Sequence, residues 1–409
     1  MDEVEVPSYF LCPISLEIMK DPVTIPTGIT YDRESIERWL FSSSSSSAAA
    51  CPVTKQQVPA DCDLTPNHTL RRLIQSWCVI NASRGVQRIP TPKAPVSRSQ
   101  VAKLIREAAK SPQTKLASLR RLKSIASHSN ANKRCLESAG AVEFLASIIR
   151  EPEVGPVTDE ALSLVYSLHI SDAKLKSLAE TDFAGSLTRA MQIGNYESRA
   201  YAVMLLSKML EASEPAKITS QMTTNHLFAE LVQVLRDRTS PRATKAALKL
   251  LVHLSLLNRN RIQVVKAGAV PVLIELLLEH TNSSSEDIKV CEMAMMVTDA
   301  LCQSAEGRAE LLNHAAGIAV LSKKMLRVSQ LATDRAVRIL LSVTRFSGTP
   351  RVLEEMLQVG AVTKLCLVLQ VSCSSKTKDK AAEILRMNSR SWNDSPCVPS
   401  SVLASFPSS

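Results

Sequence analysis

The chain has 409 residues, of which 45% are hydrophobic and 22% charged, with 4% aromatics and 11 glycines. That length holds about two or three ordinary domains, or one small domain and a long repeat array. So few aromatics and glycines argue against a β-sandwich or a dinucleotide-binding enzyme, and favour helices. No apolar run approaches the ~18–20 residues needed to span a bilayer. The opening Met1-Asp2-Glu3-Val4-Glu5 is acidic where a secretory leader is basic and then apolar. A soluble, non-secreted chain is expected.

The formal charge of +10 has an address. Residues 84–123 hold eleven Lys or Arg against one acid, Glu107, so the remaining residues balance. A basic stretch can meet nucleic acid or an anionic membrane surface. Without aromatics it offers no platform on which bases could stack, so it reads as a solvated linker and a polar first helix. No nucleic-acid partner is expected, and peripheral membrane contact has nothing to support it. The ten cysteines include no Cys-x-x-Cys pair. They read as reduced, mostly buried thiols of a cytoplasmic protein, with the nucleus also open.

In chain order, residues 1–80 mix short strand-like pieces, turns and two helices. The first predicted helix covers residues 33–41, with Asp32 as its N-cap and acids in its first turn. Ile36 and Leu40 lie four apart on a core face, and Trp39 sits beside that face. Loops around Pro13 and Pro52 flank this helix and present apolar atoms. The serine and alanine run at 42–50 reads as a flexible insertion. A second helix is expected at residues 69–80, anchored by Leu70, Leu73, Ile74 and Trp77. His68 reads as a helix-entry residue and Asn67 as a partner of loop backbone. Pro90, Pro92 and Pro95 then forbid a helix and favour an extended linker.

From residue 98 the pattern is helix after helix. Gly-Ala-Val steps recur at Gly140, Gly268 and Gly360, with weaker versions at Gly185 and Gly317. A copy without its glycine fits near Leu227-Phe228. Each glycine is expected to end one helix in a left-handed turn. A long apolar helix follows, such as the run from Val270 to Leu278 or from Val142 to Ile149. Such helices hide their apolar faces only by stacking on neighbours. A helical period of ~40–47 residues marks armadillo or HEAT repeats. About six copies fit, and a last helix at 378–387 forms a cap.

The first 80 residues resemble a U-box, the zinc-free relative of the RING domain in ubiquitin-protein ligases. The resemblance rests on Cys12-Pro13-Ile14, Asp21-Pro22-Val23, Gly28-x-Thr30-Tyr31-Asp32-Arg33, Trp39-Leu40, Cys51-Pro52 and Pro66-Asn67. A RING needs eight Cys or His ligands for two zinc ions, whereas this stretch offers Cys12, Cys51, Cys62, Cys78 and His68. No metal and no cofactor is expected. The fold class is therefore a small α+β U-box, RING-like but zinc-free, followed by an all-α armadillo-type solenoid. Its parts are a U-box at 5–80, a basic Pro-rich linker at 81–97, repeats at 98–390 and a disordered tail at 391–409. The whole resembles plant U-box/armadillo ligases, including members that temper immune and stress signalling.

The resemblance implies a ligase that forms no covalent ubiquitin intermediate and has no catalytic nucleophile of its own. It would hold a ubiquitin-charged conjugating enzyme close to a substrate lysine, which is catalysis by proximity and orientation. Ile14, Leu16, Trp39 and Pro52 would touch the conjugating enzyme. Lys55 would stand where a basic residue often bonds both ubiquitin and its carrier, though Lys is a point donor where Arg offers a planar fork. Cys12, Glu17, Asp21, Tyr31, Asp32, Arg33 and Asn67 would be structural, holding the loops in place of metal. Implied partners are the conjugating enzyme, ubiquitin and a protein substrate on the repeats, with self-association possible. A purely scaffolding armadillo protein with an inert front module is the alternative.

Overall fold

The computed structural model describes residues 5–42, 48–59, 62, 64–89, 96–168, 170–213, 224–238, 240–279 and 284–392. They form two compact units, one of residues 1–104 with 121–139 and one of 105–120 with 140–409.

In the first unit a 3-10 turn at Ser8–Phe10 leads to strands β1 (Pro22–Thr24) and β2 (Thr30–Asp32). Gly28, at φ +83°, closes the turn between them by donating to Ile25 O. β5 (Thr65–Pro66) joins β1 from the other side, so the antiparallel order is β2-β1-β5. Helix α1 (Arg33–Ser42) follows β2 directly, and α2 (His68–Ile80) follows β5. The core gathers Phe10, Met19, Val23, Ile36, Leu40 and Ile74 around Tyr31. Ile36 and Leu40 take the buried places expected of them.

Leu73 does not, being 52% exposed. It stands about 100° round the helix from Ile74, and the inner face is taken by Leu70, Ile74, Trp77 and Cys78. The serine and alanine run is also more ordered than expected at its end. Ala48–Ala50 is strand β3, paired with β4 (Gln57–Pro59), because backbone pairing needs no apolar side chain. Ser42 ends α1, and residues 43–47 lie outside the described residues. The expected extended linker begins with a 3-10 turn at Ala82–Arg84, after which Val86 and Ile89 pack on the core. Its prolines lie outside the described residues.

Helices α3 (Arg98–Lys110) and α4 (Pro112–His128) carry the basic stretch. Val101, Ala108, Leu119 and Leu122 are buried, while Arg98, Lys103, Arg106, Lys110, Arg120 and Arg121 face solvent. α5 (Asn130–Ser138) ends the first unit.

The second unit repeats a short helix, an apolar helix and a third helix. The apolar members are α6 (Ala141–Arg150), α9 (Phe183–Ile193), α11 (Thr224–Asp237), α14 (Ala269–Glu279), α17 (Gly317–Lys324) and α20 (Ala361–Gln370). The third members are α7 (Pro156–Ser167), α10 (Tyr196–Ala212), α12 (Pro241–Leu254), α15 (Ser285–Leu301), α18 (Gln330–Ser347) and α21 (Ser375–Met387). The short members described are α8 (Asp172–Ala179), α13 (Asn258–Lys266), α16 (Ala305–Asn313) and α19 (Pro350–Gln358). Apolar helices pack on apolar helices and third helices on third helices, repeat after repeat.

Within α14, Val270, Leu273, Ile274 and Leu277 are fully buried, each contributing about 1.5–3 kcal/mol of transfer free energy. Leu227 and Phe228 are equally buried in α11, the copy without a glycine. Gly140, Gly268 and Gly360 have φ of +84°, +79° and +70°, the left-handed turn the pattern asks for. Gly185 and Gly317 do not make that turn. Gly185 lies inside α9, and Gly317 opens α17 where an added Cβ would stand 1.9 Å from Leu311 O. After α21 a last helix, α22 (Ser389–Trp392), buries Trp392, which was expected in the tail. Residues 393–409 lie outside the described residues.

Candidate functional site

The two loops beside α1 share one grammar: Cys12-Pro13-Ile14-Ser15-Leu16-Glu17 and Cys51-Pro52-Val53-Thr54-Lys55-Gln56. They also share one build. Cys12 N donates to Glu17 O at 2.9 Å, and Leu16 N donates back to Cys12 O at 2.8 Å. In the second loop Cys51 N donates to Gln56 O at 2.8 Å and Lys55 N to Cys51 O at 2.9 Å. The fifth residue of each is left-handed, Leu16 at φ +57° and Lys55 at φ +60°. For a residue with a Cβ that conformation costs about 1–2 kcal/mol, offset here by the paired hydrogen bonds. The conformation also turns both side chains outward: Leu16 is 74% exposed and Lys55 faces solvent.

Both cysteine side chains are fully buried and act as acceptors. Cys12 Sγ takes Asp32 N at 3.3 Å. Burial pushes its pKa up, but N–H bonds from Ser15, Asp32 and Ile14 outweigh that and lower it. Cys51 Sγ takes Thr54 N at 3.4 Å, Thr27 Oγ1 at 3.5 Å and the Tyr31 hydroxyl at 3.1 Å. Burial opposes its ionisation, yet the bonds from Thr27, Thr54 and Tyr31 bring the thiol down to about 6. Tyr31 moves the other way: burial and then the Cys51 bond push its hydroxyl up. Val53 N completes the relay by donating to Tyr31 OH at 3.3 Å. Successive residues of β2 point to opposite sides, so Tyr31 holds the second loop and Asp32 the first.

Around the first loop a charged network does the holding. Asp32 Oδ1 accepts from Lys20 N at 2.8 Å and Asp21 N at 2.9 Å. Its carboxylate thus serves the loop exit rather than the first turn of α1 as an N-cap. Asp21 receives Arg33 Nε at 2.7 Å and Arg71 Nη1 at 3.3 Å, tying the starts of both helices to one carboxylate. Glu17, expected among these supports, lends only its carbonyl, and its carboxylate is exposed. Asn67 is a helix cap instead of a loop partner: its Oδ1 takes Leu70 N at 3.0 Å. His68 is the first residue of α2, as expected. Among the described residues no three His, Cys, Asp or Glu gather into a group able to hold a metal.

Trp39 stands on α1, 40% exposed, its Nε1 donating at 2.9 Å to Ala50 O, next to the second loop. Ile14 and Pro52 are half-buried, one in each loop. Val53, 50% exposed, was not singled out from the sequence. The repeated Cys-Pro-aliphatic step was the signal for it, since Val53 has in the second loop the place of Ile14 in the first.

Comparison with known proteins adds to this geometry. A model of the plant U-box protein ARM repeat region matches residues 100–408, and a model of the U-box domain matches residues 6–83. The Arabidopsis thaliana E3 ubiquitin-protein ligase PUB23 is 54% identical, over 99% of this chain and 98% of its own. The same plant's E3 ubiquitin-protein ligase PUB22 is 50% identical over 99% of both chains. Its E3 ubiquitin-protein ligase PUB24 is 38% identical over 98% of this chain and 96% of its own. The chain belongs to the plant U-box ubiquitin-protein ligases that carry an armadillo-repeat region.

Proposed function

We propose that Ile14, Leu16, Trp39 and Pro52 dock a ubiquitin-charged conjugating enzyme while the repeats hold a protein substrate. The observation that carries this reading is the pair of like-built loops, each offering apolar side chains, with Trp39 hydrogen-bonded beside the second. A few apolar anchors on a small rigid patch give a weak, exchangeable contact, which suits a carrier that must leave after each transfer. Lys55 donates to ubiquitin or its carrier in this reading, which its outward-turned side chain supports. A substrate lysine amine attacks the thioester carbonyl. The C–N bond forms, the C–S bond breaks, and the carrier thiol leaves with the proton. The same reaction on this chain's own lysines gives self-modification.

Cys51 has the lowered pKa of a nucleophile, but its sulfur is fully buried and spent on three donors. It serves loop structure. Resemblance to the family supports a negative role in plant stress or immune signalling. The buried thiols of Cys12, Cys51, Cys78, Cys302 and Cys366, none in a disulfide, support a cytoplasmic or nuclear site of action.

The test mixes the full chain with ubiquitin, activating enzyme, a panel of conjugating enzymes and ATP, beside Ile14→Ala and Trp39→Phe. Wild type is expected to build a ladder of conjugates that Ile14→Ala loses while keeping its cooperative melt. A melt lost together with activity would make Ile14 a core residue instead. No ladder with any conjugating enzyme would leave the scaffold reading in possession.

A further inference from the structure

The third helices of the second unit carry a run of lysines that the loop chemistry does not use. On α10, Lys208 Nζ lies 4.6 Å from the centre of the Tyr166 ring on α7, and Tyr166 meets Tyr201 of α10 at 5.3 Å between centres. One turn further along α10, Glu211 receives Lys249 Nζ of α12 at 2.6 Å. Lys245, one turn before Lys249 on α12, pairs with Glu286 of α15. Lys289 stands one turn beyond Glu286 on α15, and no hydrogen bond or ion pair is formed by its ammonium among the described residues. The ammonium of Lys245 is held below its ordinary pKa by partial desolvation and then by Lys289 and Lys249. The ion pairs to Glu211 and Glu286 and the one-turn spacings on α12 and α15 put the three lysines on neighbouring helix turns, consistent with that repulsion. Lys208 is likewise lowered by desolvation, with Glu211 opposing.

We propose that this row of Lys208, Lys249, Lys245 and Lys289, beginning at the Tyr166–Tyr201 pair, is a docking track for an extended acidic segment of a protein partner. The proposal rests on the reading in which the repeats hold the substrate, and it names that substrate's chemistry. Charge decides the class. The four ammonium groups outnumber the two carboxylates paired with them, Glu211 and Glu286, so an incoming carboxylate meets net attraction. Spacing decides the form. Neighbouring packed helices stand about 8–10 Å apart, so four of them span roughly 25–30 Å. An extended strand covers that distance in about eight or nine residues. The half-buried tyrosines give one end of the track an apolar seat, with Lys208 over the ring as a cation–π neighbour.

The test uses the full chain and a fluorescein-labelled nonapeptide of glutamate and serine with one terminal phenylalanine. The control peptide has lysine for every glutamate. Anisotropy should report binding of the acidic peptide only, weakening as salt rises. Lys245→Glu with Lys289→Glu should lower affinity roughly tenfold or more. Lys289→Glu alone, at a residue with no ion pair to lose, should lower it in the same direction, with the helical melt unchanged. Tyr166→Ala should lower affinity for this peptide more than for its alanine-ended counterpart.

Equal binding of the lysine peptide, or charge reversals without effect, would overturn the track. So would tighter capture of a mixed-sequence DNA duplex with the same lysine dependence. The two readings fail separately. A chain that binds the peptide but makes no conjugates refutes the ligase reading, and one that makes conjugates but ignores the peptide refutes the track.

Discussion

Replacing Tyr31 by Phe keeps the ring in a fully buried site and removes one oxygen. Two hydrogen bonds go with it, to Cys51 Sγ at 3.1 Å and from Val53 N at 3.3 Å. A bond to an ionised partner contributes about 1.5–3 kcal/mol and a neutral one about 1, so the expected loss is about 2–4 kcal/mol where Cys51 is ionised. The pH dependence has a definite sign. The folded thiol titrates at about 6, below an ordinary thiol. Its contribution is therefore complete above the unfolded value and is lost as pH falls through about 6.

Without the hydroxyl the folded pKa rises toward the ordinary one. The gap between wild type and variant should therefore be widest near about pH 9 and narrow toward about pH 5.5. Urea unfolding followed by Trp39 and Trp77 fluorescence, with Trp392→Phe in both chains, isolates the U-box signal. Conjugate formation should fall as well, because Pro52 and Lys55 ride on the loop that Tyr31 holds. A loss under about 0.5 kcal/mol, or the same loss at both pH values, would refute the reasoning.

Asp21→Ala leaves Arg33 and Arg71, 14% and 18% exposed, without their shared carboxylate, and should cost about 2–3 kcal/mol in a thermal melt. Gly268→Ala meets nothing nearer than Arg236 Nη2 at 3.9 Å, so its cost is the left-handed backbone alone, about 1–2 kcal/mol by denaturant unfolding. Gly185→Ala, in a helix at ordinary φ, should change stability less, since the Asp182 carboxylate can swing aside. Lys55→Arg should raise the rate of conjugate formation with the melt within about 0.5 kcal/mol, because a planar fork holds two acceptors in one fixed geometry whereas an ammonium is a freely rotating point charge.

Much of this architecture was legible along the chain, because the information was local. A glycine before an apolar helix suits a left-handed turn, and Gly140, Gly268 and Gly360 make that turn. Spacing of four placed Ile36 and Leu40 inward before any fold was known. The loops around Pro13 and Pro52 were marked by their prolines. What failed depended on packing contacts that residue type does not announce. Leu73 fits a helical stripe, but the edge of that stripe stays 52% exposed. Gly185 and Gly317 look like turn residues, yet Gly317 is small because Leu311 O comes close.

The polar supports show the division most clearly. The residue types at Asp21, Asp32, Arg33 and Tyr31 announced hydrogen bonding, since such groups are not buried unpaired. Which group each would bond was settled only in three dimensions. Asp32 turned from its own helix to Lys20 N and Asp21 N, 12 and 11 residues away. Tyr31 and Cys51, 20 residues apart, became one relay. The lysine track spans four helices, from Tyr166 to Lys289. Sequence alone determined the repeats, the loops and the residues able to do chemistry, because those follow from periodicity and residue type. Tertiary structure alone decided who faces whom, because a charge acts over a few ångströms of space and not over positions in a chain.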